Sequence, residues 1–125
     1  MEFKIDTKEK FHAITIKEGL FTANMTEELG SRLMPLLEHD VKNVVLILKD
    51  TKTMDVAAGE ALLKLQQTFY DQQASFVICE LQPEVEDALE RNGLLELMNV
   101  TPTESEAWDI VQMEEIEREL LGGEE

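Results

Sequence analysis

The chain has 125 residues, of which 43% are hydrophobic and 30% are charged, so it can form a single folded domain rather than a disordered segment. Its 27 acidic and 11 basic residues give a formal net charge of −16. This charge argues against nucleic acids and anionic membrane surfaces as partners and favours a partner with a basic face, although it could also serve only for solubility.

The N-terminal segment predicts a hairpin. Residues 3–5 and 11–16 are predicted strands separated by a polar turn, and side chains of the second strand alternate between two faces. Phe11, Ala13 and Thr15 share one face, and His12, Ile14 and Ile16 share the other, where we expect His12 to face solvent. The first residues, 1–4, lack the basic and then apolar pattern of a signal peptide, so we expect a cytoplasmic protein.

The first helix is predicted to begin at Asn24. Its side chain can cap the free N–H groups, and Glu27 lies at the reciprocal position of a capping box. Leucines at helical spacing follow, but Pro35 should kink or shorten the helix because it lacks a backbone donor. His39 lies at the predicted end, where the helix dipole favours a cation.

Two central strands and two helices follow. Residues 44–48 form an apolar run that is typical of a strand buried on both faces, and residues 75–81 are a second such strand. Asp55 is a good N-cap for the helix between them. Pro83 starts a short helix that should stop at Asn92-Gly93. Cys79 lies inside the second strand, where we expect a buried and unreactive thiol.

The last segment predicts an edge strand and a final helix. Residues 97–100 are the predicted strand, and Thr103 with Glu106 forms a second capping box. Five residues of the helix are expected to form one apolar stripe: Ala107, Ile110, Met113, Ile116 and Leu120. Trp108 is expected in the core or at its edge, rather than as a ligand platform. Residues 122–125 are expected to be a disordered acidic tail, which leaves residues 1–121 as one domain.

Strands that alternate with helices predict an α/β fold. Such an order implies right-handed crossovers and a mostly parallel sheet, to which the hairpin adds an antiparallel strand. We therefore predict a mixed sheet of four to five strands with about four helices.

The sequence contains no recognisable catalytic motif. His12 and His39 lie in different segments without neighbours at a metal-binding spacing, and the chain has neither a glycine-rich phosphate loop nor a nucleophile elbow. The glutamates of the last helix are typical of a solvated face. We expect no cofactor, no metal and no enzymatic activity.

The segment of residues 51–59 is the candidate binding site. It joins a central strand to the next helix, and ligands of open α/β sheets bind at the carboxyl ends of strands. Ala57, Ala58 and Gly59 would let another backbone approach closely. The alternative is that these small residues only let the helix pack tightly against the sheet.

The order of these segments resembles that of the STAS domain of bacterial anti-sigma factor antagonists. Such domains usually have a long apolar strand and then Asp-Ser-Ser-Gly at the start of the next helix, which correspond here to residues 44–48 and 54–59. The resemblance extends along nearly the whole chain and includes residues 19–29, 92–94, 100–103 and 106–107. It implies a STAS-like fold and a regulatory, protein-binding function.

The phosphorylated serine of that motif is absent here. In the family, a partner that is both anti-sigma factor and kinase phosphorylates the second Ser, and the complex then breaks. Asp55 matches the motif's Asp. Without a gap, Val56 replaces the first Ser and Ala57 the acceptor; with a one-residue insertion, Gly59 matches the Gly and Ala58 takes the acceptor position.

The resemblance therefore implies a constitutive binder of an anti-sigma factor/serine kinase-like protein. The implied contact residues are Thr53, Asp55, Val56, Ala57, Ala58 and Gly59. Thr51 and Thr53 are nearby hydroxyls that could accept phosphate instead. Two alternatives stay open: a STAS scaffold subunit of a stress-signalling or transporter-ATPase (lipid trafficking) complex, and an enzyme or small-ligand carrier.

Overall fold

The computed structural model describes residues 1–122 of the chain. The strands are β1 Phe3–Thr7, β2 Phe11–Ile16, β3 Leu20–Phe21, β4 Asn43–Ile47, β5 Thr53–Met54, β6 Phe76–Cys79 and β7 Val100–Thr101. The α-helices are α1 Ala23–Leu33, α2 Val56–Asp71, α3 Pro83–Arg91 and α4 Glu104–Gly122, and two 3₁₀ helices span Met34–Glu38 and Leu95–Leu97. Of the predicted tail, Gly122 ends α4, and residues 123–125 lie outside the described part.

The main sheet has five strands in the order β1-β2-β4-β6-β7. β1 pairs with β2 antiparallel, whereas the other neighbours in this sheet are parallel. A separate two-stranded parallel pair, β3 and β5, joins the connection after β2 to the connection after β4. The predicted α/β fold, with a mixed and mostly parallel sheet and four helices, is confirmed.

Helices cover the sheet unequally. On one face, alternate residues of β2, β4 and β6 pack with buried side chains of α1, α2 and α3 in the larger core cluster. The other face forms a smaller cluster in which the sheet residues meet Ala107 and Val111 of α4, with Trp108 and Ile110 packed against them. Burial of β4 on both faces explains its uninterrupted apolar sequence. α4 is therefore the only helix on the second face of the sheet among the described elements.

The sequence predicted the C-terminal end of α1 correctly but not its N-terminal end. The helix begins at Ala23, and Thr22 is its N-cap, accepting a hydrogen bond from the N–H of Met25 at 3.4 Å. The expectation that Asn24 caps this helix is wrong, because Asn24 already lies within the first turn. Pro35 shortens the helix as expected: α1 ends at Leu33, and Pro35 lies in a 3₁₀ helix.

Two strands in the C-terminal half also have bounds that differ from the predicted ones. β6 is shorter than predicted and spans Phe76–Cys79. The edge strand spans Val100–Thr101, because residues 95–97 form a 3₁₀ helix instead.

The predicted stop of α3 at Asn92-Gly93 is confirmed. Gly93 has φ +70, a conformation that glycine adopts without strain, and its N–H donates to the carbonyl oxygen of Glu90 at 3.0 Å.

His12 does not face solvent. Its side chain is buried, its Nε2–H donates to the carbonyl oxygen of Val41 at 2.9 Å, and its Nδ1 lies 2.9 Å from Thr7 Oγ1. Both ring nitrogens thus have a partner within the domain. The imidazole joins the first hairpin to the segment before β4, which is a structural role.

The predicted apolar stripe of α4 splits into two parts. Ala107 is buried, but Met113, Ile116 and Leu120 are 50%, 57% and 68% exposed. A spacing of three residues falls short of one helical turn by about 60°, so the stripe winds around the helix and Ile116 lies on the face opposite Ala107. The expectation of a single core-facing stripe is therefore wrong.

Polar side chains hold the C-terminal half of α4 against the domain. The buried amide of Asn43 donates to the carboxylate of Glu115 at 3.1 Å and to the carbonyl oxygen of Lys10 at 3.0 Å. Its oxygen accepts from the backbone N–H of Ser75 at 2.7 Å and from the guanidinium of Arg118 at 3.2 Å. All four hydrogen-bonding positions of this amide are thus used.

A second polar contact ties α2 to α4. The hydroxyl of Tyr70 donates to the carboxylate of Glu114 at 2.7 Å and accepts from the side-chain amide of Asn99 at 2.6 Å. Burial, followed by the hydrogen bond to Glu114, raises the pKa of Tyr70 to about 12. The neutral phenol is therefore the form that the fold favours.

We expect Tyr70→Phe to lower the free energy of unfolding by about 1 kcal/mol at neutral pH, because the hydrogen bonds of the hydroxyl are lost. The raised pKa makes this contribution complete below pH 10 and lost as the pH rises towards 12. Urea denaturation of both proteins from pH 7 to 12 measures it. Burial also raises the pKa of Cys79 to about 12, but that thiol is common to both proteins. A stability difference that does not shrink at alkaline pH would contradict this prediction.

Candidate protein-binding site

The start of α2 lies beyond the carboxyl end of β4, at the end of a connection that backbone hydrogen bonds hold in place. The N–H groups of Lys52 and Thr53 both donate to the carbonyl oxygen of Gly19, at 2.8 and 3.0 Å. The N–H of Asp55 donates to the carbonyl oxygen of Phe21 at 3.2 Å. These bonds position the first turn of α2 next to the connection between β2 and α1.

Asp55 is the N-cap of α2, as predicted. Its backbone is extended, and its carboxylate Oδ1 accepts a hydrogen bond from the N–H of Ala58 at 2.7 Å. The side chain is exposed, so it can contact a partner while it caps the helix. Its negative charge is also favoured by the positive end of the helix dipole.

The six predicted contact residues divide into an accessible group and a buried group. Thr53, Asp55, Val56 and Ala57 are exposed, and Val56 exposes 47% of its surface. Ala58 and Gly59 are buried. A partner that approaches the helix start would therefore meet the first four residues and not the last two.

Gly59 allows α2 to pack closely on its neighbours. A Cβ atom at this position would lie 2.9 Å from Cδ2 of Leu89 and 3.0 Å from Cδ1 of Leu94, closer than side chains normally approach. Ala58 lies in the larger core cluster. Close packing, which was the alternative explanation for these small residues, thus accounts for two of the three.

Residues outside the predicted segment 51–59 also border the helix start. Leu20 of β3, which pairs with Thr53 of β5, is 51% exposed. On the other side, an open cleft of about 310 Å³ extends from the connection to α3 and is lined by Lys52, Thr53, Met54, Glu84, Asp87, Ala88 and Arg91. The sequence offered no signal for these neighbours, since only strand pairing and helix packing bring them together.

The nearby threonines differ in accessibility. Thr51 is fully buried, and its hydroxyl donates to the carbonyl oxygen of Glu18 at 3.1 Å. Thr53 is exposed. Of the two hydroxyls, that of Thr53 is the one that an approaching protein could reach in this conformation.

Metal binding and thiol reactivity are two kinds of chemistry that His, Cys and carboxylate side chains often support. No group of three or more His, Cys, Asp or Glu side chains in this part of the chain could hold a metal ion. Cys79 is buried, as predicted, and its raised pKa favours the unreactive thiol over the thiolate. A cavity of about 520 Å³ that includes Phe11 and Trp108 is an open depression. Their rings pack with centroids 5.4 Å apart, which confirms Trp108 at the edge of the core.

Comparison with known proteins identifies the family. The model of the STAS domain matches residues 2–107, which is most of the chain. The chain belongs to the STAS domain family. No curated protein sequence matches it at a significant level. None of the helices within residues 1–122 is long and apolar enough to cross a membrane.

Several solved structures share the fold. An anti-sigma factor antagonist from Mycobacterium paratuberculosis is 12% identical, with a TM-score of 0.74 and coverage of 89% of this chain and 93% of that one. Phosphorylated SpoIIAA, a Bacillus cell fate determinant, is 16% identical, with a TM-score of 0.63 and coverage of 88% and 99%. The murine anion transporter Slc26a9 is 15% identical, with a TM-score of 0.68, and the match covers 82% of this chain but 18% of the transporter.

The role of Asp55 as a cap can be tested by substitution. We expect Asp55→Ala to lower the free energy of unfolding by about 1 kcal/mol, because the N–H of Ala58 loses its acceptor. Asn24→Ala is the matched control, since Asn24 was also predicted to cap a helix but lies within α1. Its effect should stay below about 0.5 kcal/mol. Equal losses in urea denaturation would contradict the assigned caps.

Proposed function

We propose that this STAS domain is a protein-binding regulatory module that acts as an anti-sigma factor antagonist. In this proposal the exposed start of α2 contacts an anti-sigma factor of the serine-kinase class. Support comes from the family match and from the fold shared with proteins named as anti-sigma factor antagonists. The single observation on which the proposal rests is that the helix start corresponding to the family's serine motif is exposed.

The composition of this surface suits a protein partner. Val56, Ala57 and Leu20 present small or apolar side chains, and Asp55 presents a carboxylate beside them. Beneath this surface, Gly59 allows α2 to lie close to Leu89 of α3, and Ala58 is buried in the core. An apolar centre with a charged side chain near it is typical of contact regions between proteins.

We further propose that binding is constitutive. The position that carries a phosphorylated serine in the family is occupied here by Ala57 or, with a one-residue insertion, by Ala58, and alanine has no hydroxyl. A phosphate at a helix start within an interface would add nearly two negative charges and alter binding strongly. Without an acceptor at this position, the chain would stay in the state that binds.

We also propose that the protein is cytoplasmic.

The scaffold alternative remains a second candidate because a STAS-like fold also occurs within the transporter Slc26a9. In that case the same surface would contact a subunit of a stress-signalling or transporter-ATPase assembly. Copurification from the native organism distinguishes the two. Recovery of a transporter subunit without an anti-sigma factor would favour the scaffold.

Substitution of the exposed alanine tests the proposed surface. We expect Ala57→Glu to weaken binding to the anti-sigma kinases of the source organism by about 2 kcal/mol, roughly thirtyfold, because a charge would be buried at the contact. A first-turn glutamate is compatible with the helix dipole, so thermal stability should not change. Gln67→Glu adds the same charge at an exposed position further along α2 and should bind normally. Unchanged affinity of Ala57→Glu would place the contact elsewhere.

Restoring a hydroxyl tests the missing switch. The unmodified chain should accept no phosphate on the segment of residues 51–59 when incubated with those kinases and ATP, whereas Ala57→Ser should be phosphorylated because that position is exposed. Ala58→Ser is the control, since its side chain would be buried. Mass spectrometry of the modified peptides gives the result. Phosphate on Thr53 of the unmodified chain would refute constitutive binding.

A further inference from the structure

The outward face of α4 is apolar where a solvent-exposed helix should be polar. We define the outer stripe as Met113, Ile116 and Leu120, which lie within about 60° of one another around the helix axis. All three are at least half exposed. The residues that turn towards the domain in the same part of the helix are polar instead, since Glu114, Glu115 and Arg118 hydrogen-bond to Tyr70, Asn43 and Ser75.

This arrangement reverses the usual amphipathic pattern. A helix that only covers the sheet would place Met, Ile and Leu inward and its charged residues outward. Here the inward polar contacts fix the rotation of the helix about its axis, so the outer stripe cannot turn into the core without breaking them. The apolar residues are therefore held on the surface, where large exposed patches mark interaction sites.

The family match ends before the outer stripe. It covers residues 2–107, whereas α4 continues to Gly122. The stripe is separate from the start of α2, because α2 covers the opposite face of the sheet. A role of the stripe in binding therefore does not depend on the proposed antagonist function.

The charges beside the outer stripe determine which occupant fits. The exposed acidic residues Glu117 and Glu119 lie on either side of it, and Glu106 and Asp109 precede it on the same side of the helix. None of these four forms an ion pair within the described residues. Arg118, the only basic residue of α4, is turned inward. A second copy of the chain would bring two such rows of carboxylates together, and an anionic membrane would repel them.

We propose that the outer stripe of α4 docks a basic amphipathic helix of a partner protein. The apolar residues of that helix would cover Met113, Ile116 and Leu120, and its Lys and Arg side chains would pair with the flanking carboxylates. Proteins commonly recognise amphipathic helices in this way, with apolar side chains packed between the two helices and opposite charges paired at the edges of the contact.

The probe is a synthetic amphipathic peptide with leucines on one face and lysines beside them, titrated into the full chain labelled with ¹⁵N. We expect backbone shifts confined to α4 and an affinity that falls as salt is added. A peptide in which glutamates replace the lysines is the control and should not bind. Binding of both peptides alike, no binding of the lysine peptide, or shifts confined to other elements would overturn the proposal.

Substitutions on α4 test whether peptide binding requires the apolar side chains of the outer stripe or only the net negative charge of the chain. The triple variant Met113→Gln, Ile116→Gln, Leu120→Gln keeps the charge of −16 and should lose at least about tenfold in peptide affinity. Gln112→Ala, also exposed on α4, should bind normally, as should Ala57→Glu at the other surface. The single variant Ile116→Gln serves if the triple variant unfolds.

Two further outcomes assign the stripe to another occupant. Unchanged peptide affinity in the triple variant would mean that charge alone attracts the peptide, which overturns the proposal. A concentration-dependent dimer of the unmodified chain that the triple variant abolishes, measured by analytical ultracentrifugation, would assign the stripe to a second copy and also overturn it. Loss of affinity in Asp109→Asn, Glu117→Gln, with weaker salt dependence, would support the pairing of charges.

Discussion

The side-chain amide of Asn43 is the interaction on which the arrangement of the domain depends. Asn43 begins the central strand β4, and its amide bonds to groups from the segment before β2, the segment before β6 and α4. A buried amide with an unused position would cost free energy, so the four partners must lie in one geometry. This requirement aligns the starts of three parallel strands and places α4 on the second face.

The same alignment determines which residues are exposed at two surfaces, the start of α2 and the outer stripe of α4. Because β2 and β4 are held in register, the connections that follow them meet beyond their carboxyl ends, and the carbonyl oxygens of Gly19 and Phe21 hold the residues before α2. That leaves the start of α2 exposed. At the other end, the bonds to Glu115 and Arg118 keep these two polar side chains inward, and Met113, Ile116 and Leu120 stay exposed. One buried amide thus contributes to both surfaces.

Prediction from sequence succeeded where local physics dominates. The uninterrupted apolar run of β4, the cap at Asp55, the shortening of α1 at Pro35 and the stop at Gly93 all depend on neighbouring residues, and the structure confirms each of them. The cap of α1 was missed because Thr22 and Asn24 are both suitable and only the path of the chain after β3 selects Thr22. His12 was misplaced because its partner Val41 is distant in sequence.

The sequence by itself determined the fold class and the absence of a hydroxyl at Ala57 and Ala58, since these follow from residue type and short-range periodicity, whereas the likeness to STAS domains rested on resemblance to a known family. Only the tertiary structure decided that Ala57 is exposed and Ala58 buried, and that Met113, Ile116 and Leu120 point away from the core. The physical reason is that burial depends on rotation about a helix axis. For α4, that rotation is set by hydrogen bonds between side chains distant in the sequence, which no local pattern contains.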